Sequence, residues 1–287
     1  MLGSFGSGWE LAKAVRRNVS SNRNLYLYPI IIGIISVVIF ILTFITLIIA
    51  IPFSSAKIYF YYYIVGIFIA YILVYFVSTL LILAMMISYR SIKNGEEYSL
   101  RYSISRAWEY KGYAFEWAIL YSVILMILRA IESRIRGIGA IIVGGVGSFA
   151  ITVATFFAVP VILDYKVGPV KAIEKSIDII KKNFGNTFGG VVYIDLYTLI
   201  FIGGGFLLLI ASFFLISSSI LIMILAFMFA VSIILIIYGI VLNFTYTNIF
   251  KLMLFDYING RGLPQGIDEN MINSAIKRKN GFNNGSF

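Results

Sequence analysis

The chain has 287 residues, of which 60% are hydrophobic, and its mean hydropathy of +0.94 lies far above the range of soluble proteins. Its formal net charge of +10 would suggest nucleic acid in a soluble protein, but the basic residues lie in short segments between apolar runs, which favours anionic lipid headgroups. The absence of cysteine and histidine excludes disulfides and the commonest metal-binding and proton-transferring side chain. We therefore expect lipid partners, no nucleic acid and no cofactor.

Several apolar runs exceed the roughly 20 residues that a helix needs to cross a bilayer. We predict an all-α, polytopic integral membrane protein with an amphipathic lead-in at residues 1–24, a six-helix transmembrane domain at 25–255 and a polar tail at 256–287. The first run is too long for a signal peptide and has no small-residue cleavage site. The predicted spans are residues 25–53, 58–89, 113–131, 138–163, 191–216 and 220–255.

The lead-in has the pattern of an amphipathic helix. Trp9, Ala12 and Val19 fall near one helical face, whereas Arg16 and Arg17 mark another. We expect these two arginines to contact lipid headgroups.

A second surface stretch lies between spans two and three. Asn94-Gly95 is a turn signal, and Ser99 is a candidate helix N-cap. After it, apolar residues recur every four positions, namely Leu100, Ile104 and Trp108. Arg101 and Arg106 lie between them, so we expect both arginines to contact headgroups at the membrane surface.

Residues 168–190 carry the clearest amphipathic pattern. Pro169 suits the first turn of a helix, and Gly185 suits its end. One face is apolar, with Val170, Ile173, Ile177, Ile180 and Phe184. The other face carries the four lysines for which we predict contact with anionic headgroups: Lys171, Lys175, Lys181 and Lys182.

Span four contains small residues four positions apart, at Ala140, Gly144 and Ser148. This spacing lets helices approach closely in lipid, so it predicts a packing seam. Pro160 lies near the end of the same span and predicts a kink. The segment 217–219, which contains three serines, predicts a tight turn between spans five and six.

The distribution of basic residues predicts the orientation. Nineteen of the 23 lysines and arginines fall on the side of the two termini, and four fall on the other side: Lys57, Arg129, Arg134 and Arg136. By the positive-inside rule, both termini and all three amphipathic stretches lie in the cytoplasm, and the protein lies in the plasma membrane.

The order of elements predicts an internal repeat. Each unit consists of an amphipathic helix, a span, a short outer turn and a returning span, which suggests a pseudo-threefold arrangement of helix hairpins. A bulky apolar residue followed by an acid recurs at equivalent places: Trp9-Glu10, Trp108-Glu109 and Ile177-Asp178. Chance similarity among short amphipathic segments is the alternative.

The segment that ends span four and begins the third amphipathic stretch resembles a known group of membrane proteins. The matching positions are Pro160, Asp164, Gly168, Pro169, Ala172 and Ser176. In this pattern the chain resembles the six-span membrane domain found beside glycerophosphodiester phosphodiesterases, and it resembles related uncharacterised prokaryotic membrane families. Its N-terminal segment, SFGSGWELAKAV, also resembles an archaeal and bacterial family of unknown function. The resemblance implies a six-span fold. It supplies no catalytic residues, and the phosphodiesterase activity does not carry over to a chain without histidine.

Three polar residues within or near the spans are candidates for an intramembrane polar site, namely Asp195, Glu116 and Asn243. Ionisable groups inside a bilayer are costly, so Asp195 suggests either a proton or cation site or a pair with a basic residue of a neighbouring amphipathic stretch, and Asn243 suggests a hydrogen bond between helices. We expect Glu116 to reach the headgroups and to pair with Lys111 or Arg106. The sequence does not establish whether the three share a cavity.

Three classes of function are compatible with these features. The first is a non-enzymatic membrane protein that organises lipid, or recruits a membrane protein partner or a second copy, through basic amphipathic helices. The second is a small transporter or channel that uses Asp195. An intramembrane enzyme is the least favoured, because the chain has no Ser/Lys, Cys/His or metal-ligand cluster at suitable spacing.

Overall fold

The structure, a computed structural model, describes residues 2–50, 55–96, 99–135, 137–214 and 222–262. Within these ranges the secondary structure is helical, with one 3-10 turn (Arg23–Tyr26) and no strand. The helices are α1 (Leu2–Ser20), α2 (Leu27–Ala50), α3 (Ala56–Lys93), α4 (Leu100–Trp108), α5 (Lys111–Arg134), α6 (Ile138–Ala154), α7 (Ala158–Tyr165), α8 (Pro169–Phe214) and α9 (Ile222–Ile258). The predicted turn at 217–219 and the tail beyond residue 262 lie outside these ranges.

Among the described residues, six helical segments are long and apolar enough to cross a membrane, which confirms the predicted number of spans. They are Arg23–Ala50, Lys57–Lys93, Lys111–Arg134, Ile141–Tyr165, Phe188–Phe214 and Ile224–Ile258. Length and apolarity define these segments and the predicted spans alike, so the exact bounds of the spans stay predictions. The amphipathic helices and the threefold repeat stay predictions.

The chain divides into two compact units. We call Leu27–Lys182 the middle unit, and Met1–Tyr26 together with Asn183–Phe287 the terminal unit. In the middle unit α3 is the central element, because it packs against α2, α4, α5 and α7. In the terminal unit α1 and the 3-10 turn pack against α9.

The middle unit buries hydroxyl groups and exposes large apolar side chains. Ser88 and Ser103 are fully buried and hydrogen-bonded to each other, and Tyr28 completes the chain of hydroxyls from α2. On the outside of α2, by contrast, Ile34 is 61% exposed and Ile48 62% exposed. The same unit also buries apolar side chains such as Leu83 and Met85, so the feature that suits a hydrocarbon surrounding is the large exposed apolar surface.

Span four is interrupted as well as bent. The structure ends α6 at Ala154 and begins α7 at Ala158, so the break precedes Pro160. Proline has no N–H to donate to the carbonyl four residues earlier, which weakens the helix in the preceding turn. The N–H of Phe157, at the start of α7, donates to the hydroxyl of Ser176 at 2.9 Å, and both groups are buried. At the predicted kink, residues 155–157 form a hydrogen-bonded turn between α6 and α7, and Ser176 of α8 caps it.

Helix α8 does not end at Gly185, so the predicted stop is wrong. The helix runs from Pro169 to Phe214, and residues 169–182 belong to the middle unit. A glycine inside a helix costs only about 1 kcal/mol relative to alanine. That cost is too small to end a helix that leads into an apolar span, where every backbone group needs a partner within the chain.

The turn between α3 and α4 agrees with its prediction. Gly95 adopts a positive φ of 71°, and the N–H groups of Gly95 and Glu96 donate to the carbonyls of Ile92 and Ser91. This pair of bonds is a Schellman cap, which needs a left-handed residue. At the start of α4, the Ser99 hydroxyl accepts a hydrogen bond from the N–H of Tyr102 at 3.1 Å. The predicted turn and N-cap are both confirmed.

The predicted seam on α6 packs against α5, with a shift in the residues involved. A Cβ added at Gly144 would overlap the Glu132 side chain, and one at Gly147 would meet Leu128 at 2.5 Å. The seam therefore contains Gly144 as predicted, but its next member is Gly147 in place of Ser148. Residues on one face of a helix are spaced by either three or four positions, so both residues are possible from the sequence.

Glycines also bring α8 and α9 together in the terminal unit. A Cβ on Gly205 would lie 2.9 Å from the Ser232 carbonyl oxygen, and a Cβ on Gly239 would lie 3.1 Å from the Ile202 nitrogen. Backbones this close leave no room for a side chain, so the two helices meet through their glycines.

Candidate functional site

The terminal unit contains a hydrogen-bonded polar cluster on α8 and α9. The side-chain amide of Asn243 donates to the Asp195 carboxylate at 2.8 Å and to the Thr198 hydroxyl at 3.0 Å. The Gly205 and Gly239 contacts hold the two helices near enough for these side chains to meet. Two of the three residues predicted for an intramembrane site, Asp195 and Asn243, therefore form one cluster.

Glu116, the third predicted residue, belongs to the middle unit. It lies beside Gly168, where an added Cβ would be 3.2 Å from a Glu116 carboxylate oxygen. Its expected partners are engaged elsewhere, since Arg106 pairs with Glu109 at 2.8 Å and the Lys111 ammonium lies 5.7 Å from the centre of the Trp108 ring. Arg106 thus pairs with Glu109 and not with Glu116, as had been one of the two expectations, and the pairing of Glu116 with Lys111 stays a prediction.

The sequence analysis missed one charged member of the α8–α9 cluster. Lys251 on α9 is close enough to Asp195 for their charges to interact. It lies eight residues after Asn243, which is slightly more than two helical turns and therefore the same face of α9. That spacing was the available signal, but Lys251 falls near the end of the predicted span and was counted with the basic residues outside it.

Arg16 contacts aromatic rings in the terminal unit. Its guanidinium lies 4.4 Å from the centre of the Tyr197 ring and 5.8 Å from that of Tyr193, and Trp9 packs edge-on against Tyr193. Arg16 is half-buried, whereas the neighbouring Arg17 is exposed. Cation–π contacts of this kind tie α1 to α8, so Arg17 is the better placed of the two to reach a headgroup.

The other six predicted headgroup contacts lie in the middle unit and are all exposed: Lys171, Lys175, Lys181, Lys182, Arg101 and Arg106. Lys175 also covers the Tyr165 ring at 4.2 Å. For Arg106, the nearby Glu109 carboxylate raises the pKa of the guanidinium further above its ordinary value, so it is charged at every physiological pH.

The buried face of α8 in this unit differs from the predicted apolar face. Ala172 and Ser176 are fully buried and Ile180 is nearly so, whereas Val170 is 60% exposed. Similarly, α4 buries Ser103 and Ala107 and leaves Ile104 and Trp108 exposed. Small and hydroxyl-bearing residues permit close helix contact, so on these two helices they make up most of the buried face.

A polar cleft of about 200 Å³ lies where α3 ends and α4 begins. Its lining consists of Ile87, Arg90, Ser91, Asn94, Glu96, Tyr102, Arg106, Glu109, Tyr110 and Leu163. Arg90 pairs with Asp164 of α7 at 2.7 Å, and the Asp164 side chain is only 5% exposed. This ion pair links α3 to α7, and it was not predicted because the two residues are 74 positions apart.

Within the described part of the chain, histidine, cysteine, aspartate and glutamate nowhere form a group of three that could hold a metal ion. The clusters offer hydrogen bonds and fixed charges, which suit binding of an ion or of a polar headgroup.

Comparison with known proteins gives one match. Residues 53–262 match the model of a family described as "Family of unknown function (DUF6159)". No curated protein and no solved structure matches the chain. The comparisons show no link to glycerophosphodiester phosphodiesterases, so they support only the coarser resemblance to an uncharacterised family.

Proposed function

The chain belongs to the family of unknown function DUF6159, and we propose that it is a non-enzymatic multi-pass membrane protein that binds anionic lipid headgroups through basic interfacial helices. In this proposal α1, α4 and the first part of α8 lie at the cytoplasmic face of the plasma membrane. A partner protein or a second copy of the chain is the other ligand that such helices would recruit.

The observation that carries the proposal is the distribution of side chains on residues 169–182 of α8. Ala172, Ser176 and Ile180 face the interior of the middle unit, while the four predicted lysines are exposed. The helix continues from this segment into a candidate span. Of these lysines, Lys181 and Lys182 come seven and six residues before the candidate span begins at Phe188, near the height of lipid phosphates, where a lysine contributes roughly 1 kcal/mol of attraction to an anionic surface.

The orientation and the repeat are parts of the same proposal. The positive-inside bias supports cytoplasmic termini. The pseudo-threefold repeat would provide three basic interfacial helices, of which the first part of α8 carries the most lysines.

The first test measures lipid binding by the full chain. In native mass spectrometry of detergent-solubilised protein, replacement of Lys171, Lys175, Lys181 and Lys182 by alanine should weaken phosphatidylglycerol binding at least tenfold, because four attractive charges are lost. A control variant replaces Lys57 and Arg134, which are exposed and lie on the side of the membrane predicted to be opposite the termini. It should bind phosphatidylglycerol as the wild type does. Equal loss in both variants, or no preference of the wild type for phosphatidylglycerol over phosphatidylcholine, would contradict the proposal.

A transporter or channel is the second candidate, and the Asp195–Asn243–Thr198 cluster is the observation that favours it. A carboxylate with fixed hydrogen-bond partners near the end of a span is a group that can take up a proton or a cation. The charge of Lys251 also interacts with this carboxylate, so it would compete with a bound proton or cation. Transport would then depend on the charge of Asp195.

A further inference from the structure

The polar cleft between α3 and α4 carries equal numbers of positive and negative groups. Two guanidinium groups, of Arg90 and Arg106, and two carboxylates, of Glu96 and Glu109, line it. The exposed lysine face of α8, by contrast, has an excess of positive charge. A balanced lining attracts a ligand that itself carries both signs better than one that carries only a negative charge.

Only part of this lining is fixed. Arg90 is held by the nearly buried Asp164 at 2.7 Å, so its guanidinium is oriented by α7. The Arg106–Glu109 pair is about half exposed on both sides, and exposed pairs of this kind contribute only about 0–1 kcal/mol. The Asn94 amide and the Glu96 carboxylate are 3.4 Å apart, which is a long hydrogen bond. Arg106, Glu109 and Glu96 can therefore exchange their present partners for a ligand at little cost.

The hydrogen-bonding groups of the cleft define the ligand further. Guanidinium groups bind phosphate through paired N–H donors, and carboxylates accept hydrogen bonds from an ammonium group. A trimethylated ammonium would need free aromatic faces instead. Tyr110, one of the two tyrosines in the lining, already has the Lys166 ammonium 5.5 Å from its ring centre. The cleft therefore suits a primary ammonium better than choline.

The position of the cleft relates it to lipid. It lies at the last turn of α3, a candidate span that ends at Lys93. Tyr102, Ile104 and Trp108 on the adjacent α4 are exposed, and aromatic and apolar side chains at the end of a span lie at the headgroup level. A headgroup could thus enter the cleft while its acyl chains stay in hydrocarbon.

We infer that this cleft is a binding site for the phosphoethanolamine headgroup of an aminophospholipid, with the phosphate on Arg90 and Arg106 and the ammonium on Glu96 and Glu109. The inference rests on the proposed membrane location. It adds to the lipid proposal a second site of different selectivity, because the α8 lysines select negative charge and the cleft selects a zwitterion.

The test compares three lipids with identical acyl chains on the full chain in detergent, by native mass spectrometry. The wild type should bind one phosphatidylethanolamine at least threefold more tightly than phosphatidylcholine. The Glu96→Gln/Glu109→Gln variant keeps the shapes of both side chains but loses the ammonium partners, so this preference should disappear. Arg106→Gln should weaken phosphatidylethanolamine binding at least threefold, and unfolding temperatures of all variants report whether the fold is intact.

The outcomes separate this inference from the proposed function. The variant with four α8 lysines replaced should lose phosphatidylglycerol binding and keep the ethanolamine preference. Equal wild-type binding of the ethanolamine and choline lipids, or a preference that survives loss of both carboxylates, would overturn the inference while leaving phosphatidylglycerol binding as a separate result. Soluble phosphoethanolamine should bind at least tenfold more weakly than the lipid, and equal affinity would overturn the lipid assignment.

Discussion

Ser176 shows how one side chain can change the interpretation of a helix face. On an amphipathic surface helix a serine suggests the polar, solvated face. In the structure it is fully buried, and its hydroxyl accepts a hydrogen bond from the N–H of Phe157 at the junction of α6 and α7. A buried N–H without any acceptor costs about 1–3 kcal/mol, so the hydroxyl is a structural group.

The same reasoning applies to Arg90 and Asp164. Each directly follows a predicted span, Arg90 after 58–89 and Asp164 after 138–163. The sequence places both near a membrane surface but does not pair them. Once paired at 2.7 Å, they connect α3 to α7 and orient a guanidinium toward the cleft. Removal of one partner of a buried pair is expected to cost about 3–5 kcal/mol, whereas an exposed pair contributes little.

Asp195 is the residue on which the transport alternative depends. Asp195→Asn keeps an oxygen that can accept from Asn243 and removes the charge, so proton or sodium flux in proteoliposomes should fall at least tenfold if this carboxylate carries the ion. Thr198→Val is the control, because it removes one hydrogen bond of the same cluster and leaves the charge.

In that experiment the transport alternative is excluded by equal flux in wild type and Asp195→Asn. It is also excluded if the wild type shows no flux above that of protein-free vesicles.

At the scale of elements, helix α8 differs most from its prediction. Its lysine-rich first part and its apolar second part have different compositions, and a sequence with Gly185 between them suggests two helices. One helix keeps the backbone groups around Gly185 bonded to each other, and a single glycine weakens it by only about 1 kcal/mol. Helix α8 therefore continues from the lysine-rich segment into the candidate span without a loop.

The α8–α9 contact provides a matched pair of substitutions at adjacent glycines. Gly205→Ala places a Cβ 2.9 Å from the Ser232 carbonyl oxygen and should destabilise the chain by about 2 kcal/mol, as overpacking does. Gly204→Ala meets nothing within 4 Å, and alanine is the better helix former, so its stability should stay within about 1 kcal/mol of the wild type.

Unfolding of the full chain in mixed micelles, followed by circular dichroism, would measure both differences. Similar destabilisation by the two substitutions would show that α8 and α9 do not meet at Gly205.

At the scale of the whole molecule, the proposed orientation has a direct test, since the chain contains no cysteine. Single substitutions Lys57→Cys and Arg134→Cys should react with a membrane-impermeant maleimide in intact cells, because both positions are exposed and lie on the predicted outer side. Lys182→Cys and Arg101→Cys should react only after the cells are permeabilised.

Labelling of Lys182→Cys in intact cells would place the α8 lysines outside, and the proposed contact with the cytoplasmic leaflet would then be wrong. Denatured protein supplies the control, because all four cysteines should react in it to the same extent.

The sequence by itself determined the helical class, the six helices long and apolar enough to span a membrane and the turn at Gly95, and it proposed Asp195, Glu116 and Asn243 as one group without establishing which of them meet. These features depend on local properties: apolar length, the left-handed preference of glycine and the cost of a charge in hydrocarbon. The sequence also predicted which lysines and arginines contact lipid headgroups, and the six of these that lie in the middle unit are exposed.

Only the tertiary structure decided which faces are buried and which distant residues meet. The pairing of Arg90 with Asp164, the capping of Phe157 by Ser176 and the separation of Glu116 from the Asp195 cluster into another unit all depend on helix packing. In hydrocarbon the apolar residues have little preference between the interior and the lipid, so an apolar stripe does not identify the buried face. Close packing of small residues and the need to satisfy polar groups identify it instead, and both become visible only when the helices are placed together.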